Sequence, residues 1–285
     1  MSMESWDILL KAIDAGSLSA AANQTNYTTS GISRIIANLE QEIGFPLLVR
    51  NHRGISPTKE CTALLPNIRN LSYALELLQQ QIGQINGLET GDLTIGTAYS
   101  SSYPILTKRV VKFVQCYPNI KVNILWGFSL ELYQAVLERR MDVCIVSKQD
   151  KKDFLWYPLQ KDYMMALVSS SHPLAQKEAF PIEAFATENY INIYPGQETD
   201  AEILLSRCGI CPNTRFTTSD RYAAHGMVSA GLGVALLNET QILTKEKGIR
   251  ILPLDPPQSV EIGMVCLPTP TLATKRFIEF MQESV

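Results

Sequence analysis

A cluster of small hydroxyl-bearing residues followed by an arginine lies near the N-terminus of the chain. The stretch AANQTNYTTSGISRIIANLEQEIG begins at residue 21, and its polar cluster consists of Thr28, Thr29, Ser30, Ser33 and Arg34. Serine and threonine hydroxyls can bond base edges or phosphates, and an arginine can pair bidentately with guanine. The same hydroxyls are also common helix N-caps. The cluster therefore fits either DNA recognition or helix capping, and the elements around it decide between them.

Basic residues form a second group shortly after the first. The segment FPLLVRNHRGISPT reads as two short extended runs joined by a turn at residues 51–54. Arg50, His52 and Arg53 lie at the tip of this predicted hairpin. A basic hairpin beside a recognition helix can contact phosphates or enter the minor groove. Arg50 and Arg53 are therefore predicted DNA contacts.

The charge of this region is close to balanced. Residues 1–86 contain six basic and seven acidic side chains, and the whole chain has a formal net charge of −3. Such a balance disfavours indiscriminate binding of nucleic acid, which depends on phosphate neutralisation. The basic side chains are nevertheless concentrated where DNA contacts are predicted, at Arg34, Arg50, Arg53 and Lys59.

Three helices are predicted to position the hydroxyl cluster. They cover about residues 4–14, 18–25 and 29–44, and Ser17 caps the second. Apolar residues repeat along the third helix at intervals of four and three, at Ile32, Ile36, Leu39 and Ile43. The hydroxyl cluster falls on the opposite side, which has no large apolar group. A helix, a short turn and a second helix with a polar leading end form the arrangement of a DNA-binding helix-turn-helix.

A long helix is predicted from Thr58 to about Asn86. Its apolar residues alternate spacings of four and three, at Leu64, Ile68, Leu71, Leu75, Leu78, Ile82 and Ile85. This period of about 3.5 residues indicates a coiled-coil seam. A helix packed on its own domain is the alternative, but such a helix usually has a wider apolar face. We therefore predict that these residues dimerise the protein.

The second part of the chain alternates predicted strands and helices. Strands at residues 92–98, 120–127 and 142–147 are separated by helices at 102–117 and 130–139. This order predicts a parallel sheet covered by helices. A second α/β unit follows, with strands in MMALVSS, NYINIYP, TRFTTS and GVALL, and the chain closes with the strand EIGMVCL and a helix.

Serines follow the first two of these strands. Ser100, Ser101 and Ser102 come after the first strand and Ser129 after the second, each at the start of a predicted helix. Helix N-termini can hold a small carboxylate, phosphate or polar ligand, although serines there are also plain N-caps. Two α/β lobes joined by crossovers leave a cleft where strand ends meet helix N-termini. We therefore predict that a polar or anionic effector binds in this cleft.

Other classes of protein fit the sequence less well. The N-terminus is acidic where a secretory signal is basic, and the longest apolar stretch, residues 227–237, is too short for a bilayer. A cytoplasmic protein is expected. The motifs G-x-S-x-G, G-x-x-x-x-G-K-[ST] and H-E-x-x-H are absent, so an enzyme or plain ligand-binding protein is a less favoured alternative. No metal and no cofactor are expected.

The cysteines leave one further alternative open. Six of them are scattered through the chain, which favours free thiols over a disulfide framework. Cys208 and Cys211 form the single local pair, in RCGICPN. C-x-x-C spacing can lower a thiol pKa, so a redox-sensing regulator is an alternative to two ordinary thiols at the end of a helix.

The N-terminal motifs together resemble a known family. The run AGSLSAAANQTNYTTSGISRIIANLEQEIGFPLLVRNHRGISPT is similar to the winged helix-turn-helix of LysR-type transcriptional regulators. The matching positions are Gly16, Ser17, Ala21, Ala22, Ser30, Ser33, Arg34, Leu39, Glu40, Gly44, Leu47, Arg50 and Thr58. Thr29 replaces a glutamine that often reads bases in the family, Gly31 an alanine and Ile35 a polar residue. These departures concern the operator sequence rather than the fold.

The resemblance continues along the chain and carries further implications. GDLTIGTA, SSSHPLA and MVSAGLGVALL are similar to the family's entry into its effector domain, its crossover and its late Gly-rich turn. The resemblance implies double-stranded DNA and a small-molecule effector as partners, and a homotetramer built as a dimer of dimers. It also implies that Ile193, Tyr194 and His225 face the cleft.

The predicted fold class is α/β, in three parts. A winged helix-turn-helix at 1–58 precedes a coiled-coil linker helix at 59–87 and a bilobed effector domain at 88–285 that resembles periplasmic binding proteins. Lobe I is predicted at 91–162 and 266–285, and lobe II at 163–265. Effector binding is expected to select between two arrangements and so to modulate operator binding.

Overall fold

The chain divides into two compact units, Met1–Gly87 and Leu88–Val285. The computed structural model describes residues 2–51, 54–86, 90–99, 104–242 and 248–283. Among the described helices, none is both long and apolar enough to cross a bilayer.

The N-terminal unit consists of helices and one hairpin. Its elements are α1 (Met3–Ala15), α2 (Leu18–Asn23), α3 (Thr29–Ile43), β1 (Leu48–Asn51), β2 (Gly54–Pro57) and α4 (Lys59–Ile85). Leu9 of α1 is fully buried beside Ile32 and Leu39 of α3, in a core shared by the helices and the hairpin. The predicted elements are confirmed to within two residues, because each boundary has a local signal.

Hydroxyl caps set the starts of these helices. The side chains of Ser17, Thr28 and Thr58 accept hydrogen bonds from the backbone N–H groups of Ala20, Gly31 and Cys61, at 3.0–3.1 Å. Glycines end α1 and α3 in the left-handed conformation, with φ of +68° at Gly16 and +87° at Gly44. Caps and glycine stops satisfy backbone groups that a helix leaves unpaired, which is why the boundaries are legible in the sequence.

The apolar seam of α4 has two different parts. Ile68 is buried in the core of the N-terminal unit and Leu64 packs against that core, so both stabilise the monomer. The rest of the seam is exposed, with 37–83% of each side chain accessible, and comprises Leu71, Leu75, Leu78, Ile82 and Ile85. The first residues of the predicted coiled-coil seam therefore pack within the N-terminal unit. The remaining seam residues are exposed in the single chain and could contact a partner.

The C-terminal unit is a two-lobed α/β structure. The elements of its first half are β3 (Gly91–Thr97), α5 (Pro104–Cys116), β4 (Ile120–Trp126), α6 (Ser129–Leu137), β5 (Val143–Ser147) and β6 (Leu155–Ser169). Those of its second half are β7 (Phe180–Pro181), β8 (Tyr190–Ile193), α7 (Asp200–Arg207), β9 (Thr214–Thr218), α8 (Arg221–Ser229), β10 (Ala235–Asn238), β11 (Ile249–Asp255), β12 (Ser259–Cys266) and α9 (Leu272–Glu283). Short 3-10 helices lie at Pro173–Gln176, Ile182–Ala186 and Glu239–Gln241.

The sheet of the first lobe is mixed rather than parallel throughout. β3 pairs in parallel with β4 and β5, which confirms the predicted parallel arrangement for these three strands. β12 then pairs antiparallel to β5, with Ile262 opposite Ser147. The predicted lobe boundary at residue 266 is therefore too late, because the strand Ser259–Cys266 already belongs to the first-lobe sheet.

Strand β6 connects the lobes and is longer than the sequence indicates. Its first half pairs with β12, and its second half pairs with β10 and β11. The predicted strand MMALVSS covered only residues 164–170. The boundary at 163 consequently falls inside β6, and β11 was not predicted at all.

Candidate functional site

The third helix presents a polar face opposite its buried face. Thr29, Ser30 and Arg34 are exposed, whereas Ile32 and Ile36 have at most 3% of their surface accessible. The apolar residues hold α3 against α1, and this contact fixes which side of the helix faces outward. The resulting surface offers hydroxyl groups and one guanidinium, the groups that contact phosphates and base edges.

Thr28 performs the capping role that was the alternative for this cluster. Its Oγ1 accepts a hydrogen bond from Gly31 N at 3.1 Å and lies 3.1 Å from Ser30 Oγ. Capping thus accounts for Thr28, while Thr29, Ser30 and Arg34 after it are exposed. The Thr28 hydroxyl accepts in the cap and still has a proton to donate, so its DNA contact stays a prediction.

Arg50 of strand β1 forms a hydrogen bond with helix α3. Its Nη2 donates a hydrogen bond to Ser33 Oγ at 2.9 Å, while Ser33 itself is half-buried. Two predicted contacts, one from each segment, are therefore adjacent on one surface. Arg53 and His52 lie outside the described residues.

Two hydrogen bonds donated by backbone N–H groups and a close approach at Gly54 fix the hairpin against the helices. Ile55 N donates to Gly16 O at 3.0 Å, and Leu47 N donates to Glu40 Oε1 at 2.6 Å. Gly54 has φ of +125°, and a Cβ at this position would lie 2.3 Å from Gly16 O. A glycine is required there, since any side chain would push the hairpin away from the turn between α1 and α2. Glu40 was matched to the family by sequence, but its role at the start of the hairpin was not predicted.

A cavity of about 50 Å³ lies between the lobes of the C-terminal unit. Ser129, Ile193 and Tyr194 line it, as predicted. His225 does not belong to the lining, because α8 turns it into the second lobe, where it is 1% exposed and its Nδ1 lies 2.8 Å from Arg221 O. The expectation that His225 faces the cleft is wrong for this structure. Ser100, Ser101 and Ser102 lie outside the described residues.

A hydrogen-bonded carboxylate at the base of this cavity was missed by the sequence analysis. Asp200 begins α7, and its Oδ2 accepts hydrogen bonds from Tyr99 Oη at 2.7 Å and Asn238 Nδ2 at 2.9 Å. Tyr99 follows β3 of the first lobe, whereas Asp200 and Asn238 belong to the second. Burial, together with the negative charge of Asp200, raises the pKa of Tyr99 well above its ordinary value. Tyr99 therefore stays protonated and links the lobes as a donor.

Aromatic rings form one wall of the cavity. Phe128 lies 5.0 Å from Trp126 and 5.2 Å from Tyr194, measured between ring centroids, and both pairs meet edge to face. Tyr194 has a φ of +65°, which is uncommon for a residue with a side chain. Backbone strain of this kind is found mainly where the surrounding structure holds a residue for a function. Nothing in the local sequence signals this conformation.

The C-x-x-C pair lies at the end of α7. Cys208 follows the last helical residue, and Gly209 ends the helix with φ of +69°. Both Cys208 and Cys211 are exposed and free. This placement matches the simpler interpretation of two thiols beyond a helix end, and the redox alternative stays a prediction.

Family models match both units. Residues 3–62 match the bacterial regulatory helix-turn-helix protein model of the lysR family, and residues 86–285 match the LysR substrate binding domain. The chain belongs to the LysR family. This regulator therefore combines a DNA-binding helix-turn-helix with an effector-binding domain, and effector modulation is typical of LysR-type transcriptional regulators.

Individual proteins are similar to this LysR regulator over its whole length or over its C-terminal unit. The HTH-type transcriptional regulator YvbU of Bacillus subtilis is 26% identical over 288 residues, which is 99% of this chain and 98% of YvbU. A full-length OxyR variant from Pseudomonas aeruginosa has a TM-score of 0.77 at 18% identity, covering 100% of this chain and 94% of that one. The effector binding domain of QuiR in complex with shikimate has a TM-score of 0.60 at 19% identity, covering 68% and 97%.

Proposed function

We propose that this LysR regulator binds operator DNA as a dimer of dimers in the cytoplasm, and that a small molecule in the interlobe cavity controls this binding. In this proposal α3 enters the major groove, the hairpin β1–β2 contacts the flanking backbone, and the exposed seam of α4 joins two protomers. The observation that carries the DNA-binding part is the polar outer face of α3, held outward by Ile32 and Ile36.

The interlobe cavity is the proposed effector site because both lobes contribute to it. Tyr99 and Ser129 come from the first lobe, and Ile193, Tyr194 and Asp200 come from the second. A ligand that contacts both lobes binds one lobe arrangement better than another, and that difference in affinity is what shifts a conformational equilibrium. The proposed role is regulation rather than catalysis, in keeping with relatives that are named transcriptional regulators.

Replacing Arg34 tests the recognition surface. The operator is first selected from a random DNA library with the full chain. Arg34→Ala should then weaken operator binding by roughly 1–3 kcal/mol and relax the preference at one base pair, because a bidentate arginine–guanine pair is lost. Binding to operator and to scrambled DNA is measured by fluorescence anisotropy.

Lys11→Ala provides the matched control for this experiment. Lys11 is an exposed cation of α1 rather than of α3, and its Nζ lies 2.8 Å from Asp7 Oδ2. Its replacement removes the same charge and should leave operator preference unchanged. If Arg34→Ala and Lys11→Ala have equal effects on the operator and scrambled DNA, Arg34 does not read a base.

A further inference from the structure

The charged side chains in the described lining of the interlobe cavity are mainly negative. Glu198 and Asp200 line it, and Arg221 is the one cation in the described lining. Asp162, beneath the cavity, is 2% exposed and accepts a hydrogen bond from Thr240 Oγ1 at 2.6 Å. Burial raises the pKa of Asp162, and the nearby charges of Asp200 and Glu239 raise it further. In the described lining, two carboxylates, Glu198 and Asp200, outnumber the one guanidinium, so the lining carries a net negative charge.

The groups that would attract an anion already have partners. Arg221 Nη1 donates to Gln241 O at 3.3 Å. At the N-terminus of α8, Asp220 Oδ1 accepts from Tyr222 N at 2.8 Å and from Ala223 N at 3.4 Å. A helix N-terminus attracts an anion through unpaired N–H groups and the positive end of its dipole. Here that end is neutralised by a carboxylate of the protein itself.

The same applies at α7. Its first residue is Asp200, and the N–H of Glu202 donates to Thr199 Oγ1 at 3.2 Å. Asp200 thus places an acidic side chain of the cavity lining in the first turn of α7, where a bound anion would be repelled.

The aromatic wall complements these carboxylates. Trp126, Phe128 and Tyr194 are neighbours, with centroid separations of 5.0–6.3 Å, and all three line the cavity together with Glu198 and Asp200. Aromatic faces attract cations, and aromatic cages with a nearby carboxylate bind organic ammonium groups.

We infer that the effector is a small organic cation whose ammonium group lies between this aromatic wall and the carboxylates of Glu198 and Asp200. The inference rests on the proposed function, because it assigns a ligand class to the proposed effector cavity. The sequence predicted a polar or anionic effector, and the anionic option, which depended on open helix N-termini, is replaced here by a cationic one.

Ligands of equal shape and different charge test this assignment on the full-length chain. The cationic probes are choline, tetramethylammonium and 1,4-diaminobutane. Their neutral counterparts are, in the same order, 3,3-dimethylbutan-1-ol, 2,2-dimethylpropan-1-ol and 1,4-butanediol. The anionic counterparts are 3,3-dimethylbutanoate for choline and succinate for 1,4-diaminobutane. A ligand of the native state raises Tm by mass action. At least one cation should raise Tm and quench tryptophan fluorescence, and its neutral and anionic counterparts should do neither.

Variants locate the effect at the carboxylates. Glu198→Gln and Asp200→Asn should each weaken the affinity for the active cation about tenfold, because a charge-assisted contact becomes a neutral one. Glu202→Gln is the matched control, since Glu202 lies on the same helix outside the cavity lining and accepts from Asn192 Nδ2 at 3.0 Å. It should leave the affinity unchanged. Glu198 is exposed, so its replacement is compatible with folding even if Asp200→Asn is not.

The outcomes separate this inference from the proposed function. A Tm raised by an anionic probe, or by none of the cations, overturns the cationic assignment while operator binding stands on the Arg34 experiment. Equal cation affinity in Glu198→Gln, Glu202→Gln and the unchanged chain also overturns it. Failure of sequence-specific DNA binding would overturn the proposed function instead.

Discussion

Leu78→Glu on helix α4 should convert the protein to a monomer and weaken its binding to a two-half-site operator roughly 100-fold. Leu78 is 52% exposed in the single chain, in line with Leu71, Leu75, Ile82 and Ile85. Burying such a seam against a second copy removes apolar surface from water, and a carboxylate inside it would have to be desolvated without a partner. Analytical ultracentrifugation gives the oligomeric state, and anisotropy gives the operator affinity.

Gln84→Glu is the control for added charge on this helix. Gln84 is exposed and lies away from the four-and-three spacing of the seam. The variant should sediment like the unchanged chain and retain operator affinity. A Leu78→Glu protein that still sediments as a dimer shows that the exposed seam is not the dimer contact.

Local signals explain why the N-terminal unit could be predicted closely from sequence. Ser17, Thr28 and Thr58 cap helices through bonds that span three residues, and the apolar period of α3 identifies its buried face. The seam of α4 was also visible as a period. The period could not show which seam residues are buried within the monomer. Ile68 is buried in a core that also contains residues of α1 and α3, far away in sequence.

Distant contacts explain why the lining of the interlobe cavity was predicted only in part. Ser129, Ile193 and Tyr194 were identified, but the bond from Tyr99 to Asp200 joins residues 101 positions apart. No spacing rule connects these two residues before the lobes fold. The reversal of β12 was missed for the same reason, since strand direction depends on where the chain re-enters the sheet.

An ion pair between α1 and α4 is another distant contact, and it carries the largest predicted stability effect. Arg69 Nη1 donates to Asp14 Oδ2 at 3.0 Å, and Arg69 Nη2 also contacts Asp14 Oδ1. The two residues are 55 positions apart. The Arg69 side chain is 9% exposed, whereas that of Asp14 is 41% exposed. In the sequence, both residues contributed only to the charge balance. In the structure, their ion pair holds α1 of the DNA-binding unit against the long helix α4.

Asp14→Ala should destabilise the N-terminal unit by about 2–3 kcal/mol, because it leaves the buried Arg69 guanidinium without its carboxylate. This expected destabilisation is smaller than the one for a fully buried ion pair, because water reaches Asp14. Asp7→Ala is the matched control: it breaks the exposed pair with Lys11, whose side chains are 44–45% exposed, and should cost about 0.5 kcal/mol or less. Hydrogen exchange read by mass spectrometry compares protection of α1 and α4 in both variants. Equal protection in the two would mean that the Arg69 pair does not stabilise the join between these helices.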